Sequence, residues 1–436
     1  MIQIIGLFLG IGILIYFAYR GVGALPLTLL AGLAVIITNQ MNLWQSFSEF
    51  YMKGYVGFLN SYFFIFASSA LYAKIMEDSG AAIAIGYKFI DWFGKKRAVL
   101  IVFLATAVLT YGGISVFVVI FAITPIIMLL FKEANLPRRL AMGPLLAGAA
   151  TFTMTTLPGS PQLPNVIPTR FLGTNMVAAP ILSLFAAVVM FVTCYLYLKW
   201  EERRLVALGE TFTYPAGVDP TIYEVNRDEL PPAALSFIPL ITLITVIVGL
   251  KSIITNSTAL VVFAMLTASA VALLLNWNRI KDKKETFNKG LGGAILAIAS
   301  PCAVVAFGTL VQNTPAFTNI IQWLLNLNMN AFIMGPLATA IISGITGSSS
   351  GGLTITLQTL SDQLMASGAN MSIVHRLMAI AAGSLDTLPH SSGLFLMFGI
   401  LGLTHKESYR FVFVTTVLIP ALVCVLLVVA AIALHL

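Results

Sequence analysis

Charged residues are scarce in this sequence. Only 9% of its 436 residues are charged, whereas a soluble domain usually carries ~25%. The three cysteines, Cys194, Cys302 and Cys424, lie in separate apolar runs, a spacing that matches neither a metal site nor a redox pair. A soluble enzyme is therefore excluded, and we expect no cofactor and no bound metal.

Apolar residues take the place of the missing charges. They make up 58% of the chain, and they form long runs of the kind that crosses a bilayer. The formal charge of +7 resides in basic loops, where it reports topology, so it is no sign of a nucleic-acid partner. The composition predicts an all-α polytopic membrane protein whose partners are the lipid bilayer and a small ligand.

Two charge-free stretches, 98–131 and 331–361, are interrupted by glycine-rich turns near their middles. As one straight helix the first would be about 50 Å long at ~1.5 Å per residue, but the hydrocarbon core is only about 30 Å thick. Each arm alone, at roughly 14–16 residues, falls short of crossing. The pattern predicts two re-entrant hairpins, which survive at membrane depth only when buried in protein or lining a wet cavity.

Each hairpin is followed by an interrupted apolar segment. In 140–170 the interruption holds Pro158, Pro161, Pro164 and Pro168, which cannot continue a helix because proline lacks an amide donor and clashes with the preceding turn. In 378–403 the interruption spans 386–393. Both segments are predicted to be broken helices with half-helix ends inside the bilayer.

The chain reads as two halves joined by a polar linker at 199–232. Gly112 and Gly347 are 235 residues apart, and the same spacing separates Asn135 from Asn370 and Gly148 from Gly383. Each half holds five spans and one hairpin, so the halves should be inverted in the membrane. The predicted spans are 2–19, 24–37, 55–73, 140–170 and 178–198, then 233–250, 258–275, 291–311, 378–403 and 411–434, with interfacial helices at 81–93 and 317–327.

The distribution of basic residues predicts how these spans are oriented in the membrane. With the linker on the cytoplasmic side, all but Lys53, Arg170, Lys251 and Arg376 of the 24 Lys and Arg lie inside, as the positive-inside rule requires. Both termini are then extracytoplasmic, and the expected location is a bacterial inner membrane. Inverted repeats with broken helices that meet at mid-membrane are typical of secondary transporters.

The hairpin tips and helix breaks carry the candidate substrate-binding residues. Half-helix N-termini expose N–H groups that suit a carboxylate, and small polar side chains cluster there. The alternative is that these small residues only let helices pack closely. The candidates are Gly112, Gly113, Ser115, Thr156, Pro158, Gly159, Ser160, Gln162, Thr346, Gly347, Ser348, Ser349, Ser350, Gly351, Gly352, Thr387, His390, Ser391 and Ser392.

Asp386 and His390 are the candidates for proton coupling. Asp386 is an acid well inside a predicted span, and His390 follows four residues later. Ionisable groups at membrane depth are costly and usually functional, and histidine titrates near neutral pH. Alternatively, Asp386 caps the broken helix and His390 bonds a hairpin carbonyl.

Two other function classes fit parts of the pattern. Gly347-Ser348-Ser349-Ser350-Gly351 matches the G-x-S-x-G pattern of serine hydrolases, but the strand-turn-helix context of that motif is missing. An anion channel would need a continuous pore, which hairpins entering from opposite sides would block. We therefore favour a transporter over an intramembrane hydrolase or a channel.

The breaks and hairpin turns resemble those of the gluconate permease family of the ion transporter superfamily. The resembling stretches are 109–125, 153–174, 344–352 and 383–409. The resemblance implies proton-coupled symport of a small hydroxy monocarboxylate such as gluconate or 3-hydroxybutyrate. It also implies a homodimer with an elevator mechanism, in which scaffold parts at 1–94 and 233–327 hold transport parts at 95–198 and 328–436. A sodium-coupled di- or tricarboxylate symporter or exchanger is the alternative, with sodium held by hairpin carbonyls.

Overall fold

A computed structural model describes residues 2–112, 114, 116–215, 227–250, 253–254, 256–326 and 329–434, and these ranges contain helices and no strand. Seven of the described helices are long and apolar enough to cross a membrane. The chain is therefore a polytopic helical membrane protein, as predicted. The seven are Ile2–Tyr19, Leu43–Asp78, Val116–Glu133, Pro180–Ala207, Thr258–Leu275, Lys283–Gln312 and His405–Ala433.

The first half contains nine helices within the described ranges. Their bounds are α1 Ile2–Tyr19, α2 Ala24–Thr38, α3 Leu43–Asp78, α4 Ala81–Phe93, α5 Ala98–Tyr111, α6 Val116–Glu133, α7 138–156, α8 Leu163–Leu172 and α9 Pro180–Ala207. Helix α7 starts as a 3-10 turn and ends as a π-helix, and α3 contains a π-helical segment at Ser46–Tyr51.

The second half repeats the order of element types. Its helices are α10 Ala233–Leu250, α11 Ser257–Leu275, α12 Lys283–Gln312, α13 Pro315–Leu325, α14 Ala331–Thr346, α15 Ser349–Ala366, α16 Met371–Leu385, α17 Ser392–Leu401 and α18 His405–Ala433. In both halves two apolar helices precede a long helix, a short helix, a hairpin pair, a broken pair and a last long helix. The inversion of the halves stays a prediction.

The breaks in the chain lie where glycine and proline predicted them. The first hairpin pair separates after Tyr111 and the second at Gly347, whose φ of +61° suits glycine. Helix α7 ends at Thr156, and α8 accommodates Pro164 in its first turn and Pro168 inside. One arm differs from expectation, because α6 has 18 residues and is long enough to count as a span.

Three helices extend beyond the predicted spans. Helix α3 begins at Leu43, before the predicted span 55–73; α9 continues to Ala207, into the predicted linker; and α12 begins at Lys283, before the predicted span 291–311. A hydropathy pattern does not distinguish these polar helix ends from loops, because the side chains on their exposed faces are polar. The helices therefore extend beyond their apolar cores.

Helices α3 and α12 pack against each other through close glycine contacts. A Cβ at Gly54 would lie 2.4 Å from the Thr309 hydroxyl, and one at Gly290 would lie 3.1 Å from the Leu71 Cα. Such small residues let membrane helices approach closely. The α3–α12 pair borders the elements that carry the hairpins, since Phe58 and Phe66 of α3 contact Phe117 of α6 with ring centroids 6.0 Å apart.

Candidate substrate site

A cavity of about 320 Å³ lies where both hairpins and both helix breaks meet. Tyr62 of α3 and Thr258 of α11 face it from the neighbouring helices. None of the described residues that line it is Lys or Arg. The polar lining comes from Gln162, Ser348, Ser349, Ser350, Asp386, Thr387, Ser391 and Ser392, and the first break also contributes Pro161 and Pro164.

Four helix N-termini converge on this cavity. Its lining includes the first residues of α6 (Val116), α8 (Leu163), α15 (Ser349) and α17 (Ser392). The first N–H groups of a helix have no partner within the helix, and the N-terminal end carries a partial positive charge. Two of these ends have fewer free N–H groups, because Ser348 caps α15 and Pro164 in the first turn of α8 has no N–H. Together the four ends still favour an anion in the cavity, which has no basic side chain among its described residues.

Gln162 and His390 play matching roles in the two halves. The Gln162 Nε2 donates to the carbonyls of Thr110 (2.8 Å) and Ile114 (3.2 Å), at the end of the first hairpin arm. The His390 Nε2 lies 2.9 Å from the carbonyl of Gly344, near the end of α14. Each break therefore binds the carbonyl end of the hairpin in its own half.

The tip of the second hairpin presents its serines to Asp386. The Ser348 hydroxyl caps α15 by accepting from the Gly351 amide at 3.2 Å, and the Ser349 amide and hydroxyl face the Asp386 carboxyl. Asp386 is only 7% exposed, and its Oδ1 has no hydrogen-bond partner among the described residues. A carboxyl group is thus positioned on the wall of an otherwise anion-attracting cavity.

Comparisons with known proteins decide the family. The family model CitMHS, described as citrate transporter, matches residues 13–302. The chain is 33% identical to the uncharacterized transporter YxjC of Bacillus subtilis, with 97% of each chain covered.

This chain belongs to the CitMHS citrate transporter family. It is also 26% identical to a protein named citrate transporter from Bacillus subtilis, over 63% of this chain and 62% of that protein. An uncharacterized transporter of Haemophilus influenzae is 21% identical over 79% of this chain and 78% of its own. The CitMHS member is accordingly a multi-pass membrane transporter and not an enzyme.

The expected membership of the gluconate permease family is wrong, because the CitMHS model and the citrate transporter relative assign the chain elsewhere. The stretches that suggested it are turns and helix breaks. Prolines, glycines and small polar residues specify a broken helix, and many transporters of different substrates have one. These motifs therefore identified the architecture and not the family.

The predicted site residues of this CitMHS member fall into three groups. Gln162, Gly347, Ser348, Ser349, Ser350, Asp386, Thr387, Ser391 and Ser392 line the cavity. Gly112, Thr156, Pro158, Gly159, Ser160, Thr346, Gly351, Gly352 and His390 lie outside its lining. Gly113 and Ser115 are outside the described residues.

Residues of the second group have local structural contacts. The Thr156 hydroxyl donates to the Phe152 carbonyl, and the Thr346 hydroxyl donates to the Ile342 carbonyl at 2.9 Å. The Gly159 amide donates to the Met176 carbonyl at 2.9 Å. A Cβ at Gly352 would lie 2.2 Å from the Ser343 hydroxyl, so α14 and α15 approach closely there.

Sequence reasoning missed Arg376, which was only counted among the four basic residues on the extracytoplasmic side. It lies in α16 and is completely buried. Its Nη1 donates to the Thr155 carbonyl (3.0 Å), and its Nη2 donates to the Asn165 Oδ1 (2.9 Å). An arginine near a predicted helix end resembles an ordinary boundary residue, and its contacts come from about 200 positions away in the chain.

Proposed function

We propose that this CitMHS member is a secondary active transporter of a citrate-like di- or tricarboxylate. The observation that carries the proposal is the convergence of four helix N-termini on one cavity. One carboxylate needs only one such end, whereas four ends in different directions suit an anion with several carboxylates. The cavity volume is within the range of about 300–1,000 Å³ usual for small-ligand sites.

Asp386 supports proton coupling. An ionised carboxylate in the same cavity would repel a polycarboxylate, and protonation would remove that repulsion. Binding of substrate and of a proton would then favour each other, which is the requirement for symport. His390, bonded to the Gly344 carbonyl, would act as a positioning residue. Sodium coupling through hairpin carbonyls stays the alternative.

The repeated helix order supports an inverted duplication with an elevator mechanism. The cavity lies between the hairpins and breaks on one side and α3 and α11 on the other, as a transport part facing a scaffold part would place it. We extend the proposal to a homodimer, by analogy with transporters of this architecture.

Polar contacts support the proposed topology. Thr286 donates to Asp78 at 2.6 Å, Arg410 pairs with Glu201 at 2.6 Å, and Arg138 donates to the Leu401 carbonyl at 2.7 Å. All of these residues lie on the side assigned to the cytoplasm by the positive-inside rule. We infer a bacterial inner membrane with both termini on the outside.

Uptake into proteoliposomes tests the proposal. Labelled citrate, succinate, gluconate, 3-hydroxybutyrate and lactate would each be presented with an imposed proton gradient, a sodium gradient or neither. We expect accumulation of citrate or succinate under the proton gradient alone. Accumulation driven only by sodium would refute proton coupling, and accumulation of monocarboxylates alone would refute the substrate class. Equilibration without accumulation would indicate a channel or uniporter.

A further inference from the structure

Arg376 is the charged residue most completely enclosed in the hairpin-and-break region. Besides its bonds to Thr155 and Asn165, its Nη2 lies 3.5 Å from the Ala178 carbonyl. These acceptors belong to α7, to α8 and to the segment before α9, so one guanidinium joins α16 of the second half to the first break. Helix α16 is also close to α7, because a Cβ at Gly383 would lie 2.6 Å from the Thr155 Cγ2.

The acceptors around Arg376 are all uncharged. Among the described residues, no carboxylate forms an ion pair with it, and its Nε has no hydrogen-bond partner. Its neighbour His375 contacts the Thr174 hydroxyl at 2.8 Å. Asp386 follows Arg376 by ten residues, just after the end of α16, so the two backbone positions are separated by about 15 Å along the helix axis at ~1.5 Å per residue. A full positive charge is therefore buried here without a neutralising partner.

The acceptors of Arg376 are chain neighbours of cavity residues. Thr155 follows Met154, and Asn165 follows Pro164, and both of those neighbours line the cavity. The guanidinium thus lies directly behind the first break and near the N-terminus of α8. Its field adds to that of the helix ends, and it is weakly screened because the surroundings are apolar.

We propose that Arg376 is a positioning residue that also supplies the fixed positive charge behind the substrate site, and thereby sets its preference for multiply charged anions. The inference rests on the proposed function, because it concerns the substrate charge of that same site. An uncompensated buried charge costs stability unless another group compensates for it. A bound polycarboxylate supplies that compensation.

Two substitutions at Asn165 separate charge from position. Asn165 also donates from its Nδ2 to the carbonyls of Ser160 and Met176, both at 2.8 Å, and both substitutions remove these two bonds. Asn165→Asp keeps an oxygen acceptor for the Nη2 and neutralises Arg376, whereas Asn165→Ala removes that acceptor as well and leaves the charge. The readout is inhibition of labelled citrate uptake by tri-, di- and monocarboxylates of similar size. Gel-filtration profiles and thermal unfolding in detergent check that each variant is folded.

The charge role predicts a dependence on substrate valence. Taking about 15 Å as the separation between the guanidinium and the substrate charge and an effective dielectric constant of about 20, neutralisation should weaken binding about sevenfold for a monocarboxylate and about three-hundredfold for a tricarboxylate. Asn165→Ala should weaken all three classes by a similar factor. If Asn165→Asp also acts equally on all classes, the charge role is refuted and Arg376 is a structural tether.

A second variant, Arg376→Lys, tests the proposal even if Asn165→Asp does not fold. Arg376→Lys retains the charge but loses the planar fork, so it should weaken all classes equally and keep the preference for tricarboxylates. Loss of that preference in Arg376→Lys would overturn the proposal. A wild-type protein that accumulates no carboxylate under any gradient would overturn the proposed function itself, which is a different result from transport without valence dependence.

Discussion

Replacing Asp386 by Asn should uncouple transport from the proton gradient while leaving substrate binding intact. The change removes the ionisable group from the cavity wall and keeps a side chain of nearly the same shape. For the magnitude we take about 6 Å as the separation between the Asp386 carboxyl and a substrate carboxylate bound in the same cavity. At an effective dielectric constant of about 20 the repulsion is about 3 kcal/mol, or about a hundredfold in affinity.

This magnitude fixes the expected result. Wild-type affinity should fall about tenfold per pH unit while Asp386 ionises, up to about a hundredfold in total. The direction of this pH dependence follows from linkage. Because substrate binding favours protonated Asp386, the substrate affinity is highest at low pH and falls as the pH rises. Asp386→Asn should bind with the low-pH affinity at every pH.

Proteoliposomes with an inward gradient of one pH unit provide the assay. One coupled proton corresponds to about tenfold accumulation at most, so the wild type should concentrate citrate and Asp386→Asn should only equilibrate it. Counterflow exchange should persist in the variant. Asp362→Asn, which removes an exposed acid from α15, is the matched control and should accumulate normally. Gradient-driven accumulation by Asp386→Asn would refute the coupling role.

Three further substitutions test the packing around the site. Gln162→Leu leaves two buried carbonyls of the first hairpin unpaired and should destabilise the protein by about 2–4 kcal/mol, measured by thermal unfolding in detergent. Gln322→Leu, which replaces an exposed glutamine of α13, is the control, and an unchanged midpoint for Gln162→Leu would contradict the capping role. Gly383→Ala should lower the unfolding midpoint because its Cβ would meet the Thr155 Cγ2 at 2.6 Å, and Thr155→Ser in the same protein should restore it; additive losses would contradict this contact. Glu201→Gln removes a buried carboxylate that pairs with Arg410 at 2.6 Å and with Arg204 at 3.0 Å and should cost only about 1 kcal/mol, because both arginines are partly exposed to solvent. Equal stability of the two proteins in denaturant would show that the pairs contribute nothing.

The sequence predicted the architecture well because glycine and proline act locally. The breaks after Tyr111, at Gly347 and after Thr156 follow from backbone rules that need no tertiary information. The serines at the second hairpin tip likewise indicated a helix start, because serine is a preferred N-cap residue, and Ser348 does cap α15.

Contacts between distant segments could not be predicted in this way. Arg376 resembled a boundary charge because nothing near it in the chain indicates that Thr155 and Asn165 surround it. The family was misassigned for a related reason: the shape of a broken helix constrains its glycines and prolines strongly, so transporters of different families share this pattern.

The bonds from Gln162 and His390 to the hairpin carbonyls have a mechanical consequence. Each fastens a hairpin to the break of its own half at membrane depth, so the walls of the cavity resist being pulled apart from one another. The remaining boundary of the cavity is the one toward α3 and α11, where Tyr62 and Thr258 face it. In the elevator mechanism that we propose, a bound ligand would therefore move together with the hairpins and breaks, along the surface that they share with α3 and α11.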